Sequence, residues 1–208
     1  MNSRRTLNCG RDLNRKLCFV FAFVSLVSVL AVWYFYSYLT PTVLREDFER
    51  GFGEWVPDAD VPLDPNNPGY AVEWRIERVK NFTYSGDYSL MLFIDGRQDD
   101  GTIWIERKIS VRGNSQVKVD VSFQFYSDGE SFNTIAGVVA YAGVRNPEAE
   151  GDFVVLGPAN EVAGWKEYSH TTVLDADSQG QLWVAVGITV RWETFMAYFV
   201  DDVEITIE

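Results

Sequence analysis

Between Lys16 and Arg45 the chain has no charged side chain, and beyond that gap it changes to short alternations of apolar and polar positions. The uncharged run Leu17–Leu39 has 23 residues. As a helix rising about 1.5 Å per residue it would span roughly 34 Å, enough to cross the hydrocarbon core of a bilayer. It ends in Trp33-Tyr34-Phe35-Tyr36-Ser37-Tyr38, rings that are part apolar and part polar and suit the headgroup level, just before Pro41. A secretory leader usually has a shorter apolar core and ends in small residues, so the pattern predicts a retained membrane-spanning helix.

From Arg45 onward, short runs rich in Val, Ile, Phe, Tyr and Trp recur between Gly, Asp, Asn and Pro clusters, with no long stretch of helical period. The predicted strands are Leu44–Glu49, Val72–Val79, Tyr88–Asp95, Thr102–Val111, Gln116–Tyr126, Thr134–Val144, Phe153–Leu156, Lys166–Leu174, Gln181–Trp192 and Ala197–Ile207. In Gln116–Tyr126 the odd positions Val117, Val119, Val121, Phe123 and Phe125 are apolar. In Gln181–Trp192 the even positions Leu182 to Val190 are apolar. Thr134–Val144 is apolar at both parities and is expected to be covered on both sides. So many half-buried strands cannot share one flat sheet, and the fold class expected is all-β, a two-sheet antiparallel sandwich. Its core should bury Phe48, Trp55, Trp74, Leu90, Phe123, Trp165, Val186 and Ile205.

Charge divides the chain in the same way. Arg4, Arg5, Arg11, Arg15 and Lys16 face a single acid, Asp12, ahead of the apolar run, whereas residues 45–208 hold 13 basic and 29 acidic residues, a net of −16. Basic flanks stay on the cytoplasmic side, so the expected layout is a cytoplasmic tail (1–16), a transmembrane helix (17–39), a linker (40–44) and an extracytoplasmic domain (45–208) at the cell membrane. The acidic domain excludes nucleic acid and tight docking on anionic lipid. Both cysteines, Cys9 and Cys18, precede the domain, so no disulfide supports its core. The tail is read as disordered, and acylation of Cys18 is weighed against an inert thiol.

Chemistry-bearing motifs are few. The lone His170 sits in an alternating strand and cannot build a His-rich zinc site. There is no G-x-S-x-G elbow, phosphate-binding glycine loop, dinucleotide fingerprint or E-x-D-x-x-E strand motif. The Pro57–Gly69 loop offers Asp58, Asp60, Asp64, Asn66 and Asn67, but lacks the turn glycine and closing Glu of a helix–loop–helix calcium site, and reads as a proline-stiffened solvated loop. Arg145–Asp152 is a second polar loop, and Asn81-Phe82-Thr83 is a glycosylation sequon.

Four segments recur in a telling order: Glu46 to Trp55 (EDFERGFGEW), Tyr84 to Leu90 (YSGDYSL), Gly164 to Tyr168 (GWKEY) and Tyr198 to Ile205 (YFVDDVEI). Together they resemble the β-jelly-roll carbohydrate-binding modules appended to xylanases and cellulases, within the galactose-binding-like group. The resemblance covers nearly all of 45–208 and departs in the anchor and the missing catalytic domain. It implies that the first strand, near Phe48, lies beside the last, near Val203. It also implies a structural Ca2+ held by Glu49 and Asp201, with Asp202 as a weaker candidate. Independently, the parity that turns Val203, Ile205 and Ile207 inward also turns Asp201 inward, where a carboxylate needs a cation, an arginine or a turn to cap.

The function expected is non-catalytic glycan binding at the cell surface. The alternatives are a structural or protein-partner-binding ectodomain and, more distantly, a small polysaccharide lyase or hydrolase. Sugars are gripped by rings stacked on pyranose C–H faces and by amide, carboxylate and guanidinium groups on their hydroxyls. On the non-core parity the candidates are Trp104, Glu106, Gln124, Tyr126, Trp183 and Arg191. If their strands share one sheet, Trp104, Tyr126 and Trp183 line a single groove; otherwise loops cover the rings.

Overall fold

The computed structural model describes residues 19–33, 40–80, 82–95, 100–129, 135–159, 163–192 and 195–208. The chain divides into two compact units, Met1–Pro41 and Thr42–Glu208. In the first, residues 19–33 form a helix, and its apolar side chains, from Phe19 to Trp33, are exposed all round. No helix among the described residues is long and apolar enough to cross a membrane. The rest of the expected 17–39 span, including Tyr34 to Leu39, lies outside the described residues, as do the basic tail, Cys9, Cys18 and Asn81.

The second unit is built of strands β1 (Thr42–Glu46), β2 (Val56–Asp60), β3 (Trp74–Val79), β4 (Ser89–Asp95), β5 (Gly101–Ser110), β6 (Gln116–Ser127), β7 (Ile135–Gly143), β8 (Val154–Pro158), β9 (Gly164–Asp175), β10 (Gln181–Trp192) and β11 (Phe195–Ile207). One sheet runs β3-β4-β11-β6-β9, with β1 also on β11; the other runs β2-β5-β10-β7-β8. All strand pairs are antiparallel. The first strand does lie beside the last, Glu46 opposite Val203.

The alternations read from the sequence set this packing. Val117 to Phe125 on β6 and Leu182 to Val190 on β10 turn into one core between the sheets, with Ile103, Ile105, Tyr198, Val200 and Val203. Tyr168 stands against Phe123 and Phe125, ring centroids 6.2 and 6.0 Å away, and Phe125 meets Tyr198 at 5.6 Å. Six of the eight residues expected in the core are buried. Trp74 is partly buried against its edge, and Trp165 lies on the outer face, opposite Tyr126. His170 is half-buried on the edge strand β9, and burial lowers its pKa.

At two places the backbone departs from what alternation along the chain predicts. The Pro57–Gly69 segment is not all loop: its start belongs to β2, a strand at the sheet edge where a proline costs no ladder bond. On β11 the register against β6 shifts between Asp201 and Glu204, and Asp202 takes a left-handed φ of 46°. This bulge adds one residue and switches the face each later side chain takes. Val200 and Val203 both reach the core, so Asp201 stands on the outer face instead of inside the sandwich.

Candidate functional site

On the outer face of the five-stranded sheet, β5 places Thr102, Trp104, Glu106 and Lys108 beside Thr189, Gly187, Ala185 and Trp183 of β10. Gly187 is required here, because a Cβ would collide with the Ile103 carbonyl and the Trp104 backbone. Trp104 is fully buried although it faces away from the core. Residues 144–153, which connect β7 to β8, lie over it: the Phe153 ring sits 4.9 Å from the Trp104 ring and 6.0 Å from Tyr141. This strap is fastened by the Glu150 N–H donating to the Asp60 carboxylate (2.9 Å), by Arg191 to Glu150, and by the Tyr141 hydroxyl to the Arg145 carbonyl (2.8 Å). Arg191 also reaches Asp100 at 3.4 Å, so its guanidinium fastens the strap and does not stand free for a ligand.

Under the strap the Trp104 indole N–H donates to Glu106 at 2.8 Å. Glu106 is buried, and desolvation, partly offset by hydrogen bonds from Trp104 and Asn146, raises its pKa above the ordinary 4.5. The hydroxyls of Thr102 and Thr189 and the Asn146 carbonyl are buried without a partner.

Beyond the strap the face opens. Glu106, Lys108 and Trp183 line a cavity of about 520 Å³ with Leu44, Glu54 and Val56. The Lys108 ammonium is 5.7 Å from the Trp183 ring, and Glu54 is paired with Arg107 at 2.5 Å. A ring, a cation and carboxylates therefore converge on one solvent-open space.

Gln124 and Tyr126 are on β6, in the other sheet, so Trp104, Tyr126 and Trp183 do not line one groove. Alternation fixes which face a residue takes, but not which sheet its strand joins. Tyr126 instead belongs to a second ring cluster. Trp165, Tyr126, Phe199 and Met91 form one rung across β9, β6, β11 and β4. Tyr126 is 5.4 Å from Trp165 and 5.8 Å from Phe199. Phe82 covers Phe199 and Tyr126 at 4.8 and 5.2 Å, and Tyr84 meets Trp165 edge-on at 5.7 Å. Burial, and after it Asp128, raises the Tyr126 pKa. Phe82, Tyr84 and Trp165 were not among the sequence candidates, although YSGDY and GWKEY drew attention to the last two segments.

Asp201 and Glu49 hold the loop that presents these rings. Asp201, 0% exposed, accepts N–H bonds from Tyr84 (2.9 Å), Ser85 (3.1 Å) and Asp202 (2.8 Å). Glu49 accepts from Asp87 and Tyr88 at 2.7 and 2.9 Å. A Cβ at Gly86, whose φ is +59°, would run into the Glu49 carboxylate. Asp202 accepts the Ser85 hydroxyl at 2.8 Å. Both carboxylates of the expected calcium pair thus accept backbone N–H groups of the same loop, Glu49 through Oε1 and Asp201 mainly through Oδ2. Among the described residues no group of three or more His, Cys, Asp or Glu side chains is arranged to hold a metal ion.

No family model matches the chain, and no curated protein matches it. Solved structures similar to it include the CBM22-2 xylan-binding domain of Paenibacillus barcinonensis Xyn10C, at 17% identity over 78% of this chain and 98% of that one, TM-score 0.49. TmCBM61 in complex with β-1,4-galactotriose is similar at 14% identity over 76% and 92%, TM-score 0.48. The K1 cleaved adhesin domain of Lys-gingipain from Porphyromonas gingivalis W83 is similar at 12% identity over 79% and 97%, TM-score 0.48.

Proposed function

We propose that this protein is a membrane-anchored, extracytoplasmic module that binds glycans at the cell surface without cleaving them. One observation carries the reading: Trp183, Glu106 and Lys108 converge on the open cavity at the end of the strap. A ring for stacking and charged groups for sugar hydroxyls are the parts such a site needs. Of the two carboxylates at this cavity, Glu106 accepts the Trp104 indole N–H and Glu54 pairs with Arg107, and the reading gives both a hydroxyl-binding role instead of the acid–base role of a glycoside hydrolase.

The anchor is part of the same proposal. A helix apolar on every side has no polar face to turn to water, and Ser28 satisfies its hydroxyl on the Val24 carbonyl at 2.8 Å, as a bilayer requires. With the basic tail inside, the acidic domain is outside.

The test is binding of the full chain, in a zwitterionic sugar-free detergent, to a panel of neutral oligosaccharides that includes xylo-oligosaccharides and β-1,4-galactotriose. Trp183→Ala should weaken binding by about 1–3 kcal/mol, the range for loss of a stacking ring. Unchanged affinity in that variant removes this cavity from the reading. Protease protection of the full chain in intact cells checks the anchor: the domain should be cleavable from outside, and complete protection excludes the proposed topology.

A further inference from the structure

The rung of rings on the six-stranded sheet is on the face opposite the Trp183 cavity and has no part in the function proposed above. We propose that it is a second contact surface for carbohydrate, one that takes a neutral pyranose chain.

Three observations carry this. Large rings are exposed together: Phe82 is 48% and Tyr84 51% exposed, and Trp165 and Tyr126 are half-buried beside them. They are also held in place. Phe82 has a left-handed φ of 59°, a conformation that a bulky residue takes only when its surroundings impose it. Its carbonyl accepts the Ser89 hydroxyl at 3.0 Å, and the next turn hangs on the buried Asp201. Finally, hydrogen-bonding groups lie one register step along the strands. Gln124 and Glu167 are cross-strand partners on this face, two residues from Tyr126 and Trp165. Gln124 is half-buried and Glu167 exposed there.

Rings with an amide and a carboxylate beside them match the C–H faces and hydroxyls of a sugar. The net charge of −16 on residues 45–208 selects the class of sugar. Uronic or sulfated chains, nucleic acid and anionic lipid would be repelled, whereas a neutral chain would not. With a site on each face, one molecule could hold two strands of a polysaccharide, and its avidity for a matrix would exceed its affinity for a single chain.

The experiment follows the indole N–H signals of the seven tryptophans in the 15N-labelled full chain, in the same detergent, during titration with the neutral oligosaccharide panel. The Trp165 and Trp183 signals are assigned by substitution to Phe. In the Trp183→Ala background the Trp165 signal should still move saturably with sugar. In Tyr84→Ala/Gln124→Ala that movement should weaken at least tenfold in apparent affinity while the Trp183 titration stays unchanged. A Trp183 response with no Trp165 response overturns the second surface and leaves the first reading standing. A Trp165 response alone sinks the cavity reading and keeps this one. Silence at both overturns both. A Trp165 shift that follows protein concentration instead of sugar makes the face a contact between copies of the chain and refutes the proposal.

Discussion

Asp201 shows how one side chain fixes a surface many residues away. Its carboxylate is buried on the outer face and accepts three backbone N–H bonds, two of them from the loop that carries Phe82 and Tyr84. Desolvation raises its pKa, and the hydrogen bonds oppose that shift without cancelling it. Asp201→Ala leaves buried N–H groups unpaired and should cost about 2–4 kcal/mol, read from urea unfolding of the full chain. If the loss is below about 1 kcal/mol, water replaces the carboxylate and this account of the loop fails. Glu106 gives a pH signature. Its folded pKa is raised by burial, so its favourable contribution is complete below the unfolded value near 4.5 and is lost as pH rises through the folded value. Wild-type stability should therefore fall, relative to Glu106→Gln, as pH is raised from about 4 through that range. Parallel urea midpoints for the two proteins between about pH 4 and 7 would show that Glu106 is not held in a desolvated place.

At the scale of elements, the strap at residues 144–153 determines how much of the five-stranded sheet a ligand can reach. It turns Trp104 from a surface ring into a buried one, and its own ring, Phe153, is half-buried. Phe153→Ala should cost about 1–2 kcal/mol, less than a fully buried Phe, and should speed hydrogen exchange at the Trp104 indole N–H at least tenfold. Unaltered exchange means that other strap residues cover the indole. The same scale shows what the sequence could reveal. Alternation located β6 and β10 and their inward residues, because one face of each meets the core whatever its neighbours are. It missed β2, whose Val-Pro-Asp-Ala-Asp has a single ladder partner and alternates only through Pro57 and Ala59, residues that are poor strand formers. It also carried parity unbroken through Asp201, since a bulge is a property of two paired strands and leaves no mark on one.

For the whole molecule, the two groups of candidate residues were separated by topology: β5 and β10 pair with each other, and β6 pairs with β11 and β9. Which strands become neighbours depends on pairings far apart in sequence, so the parity of the candidate residues was legible and their division between two faces was not. The acidic balance acts at this scale too. A net charge of −16 on residues 45–208, with no cysteine among them, leaves the apolar core to hold the fold against self-repulsion. Added salt should therefore raise the Tm of the full chain by screening. A bound calcium ion would add a separate increment, because a ligand selective for the folded state stabilises it in proportion to its saturation. Since Glu49 and Asp201 already accept backbone N–H groups, EDTA at constant ionic strength should leave the Tm unchanged. A calcium-dependent rise of several degrees, absent with matched magnesium or sodium and abolished by Asp201→Asn, would mean that those donors turn away to admit the ion. The loop carrying Phe82 and Tyr84 would then be set by calcium.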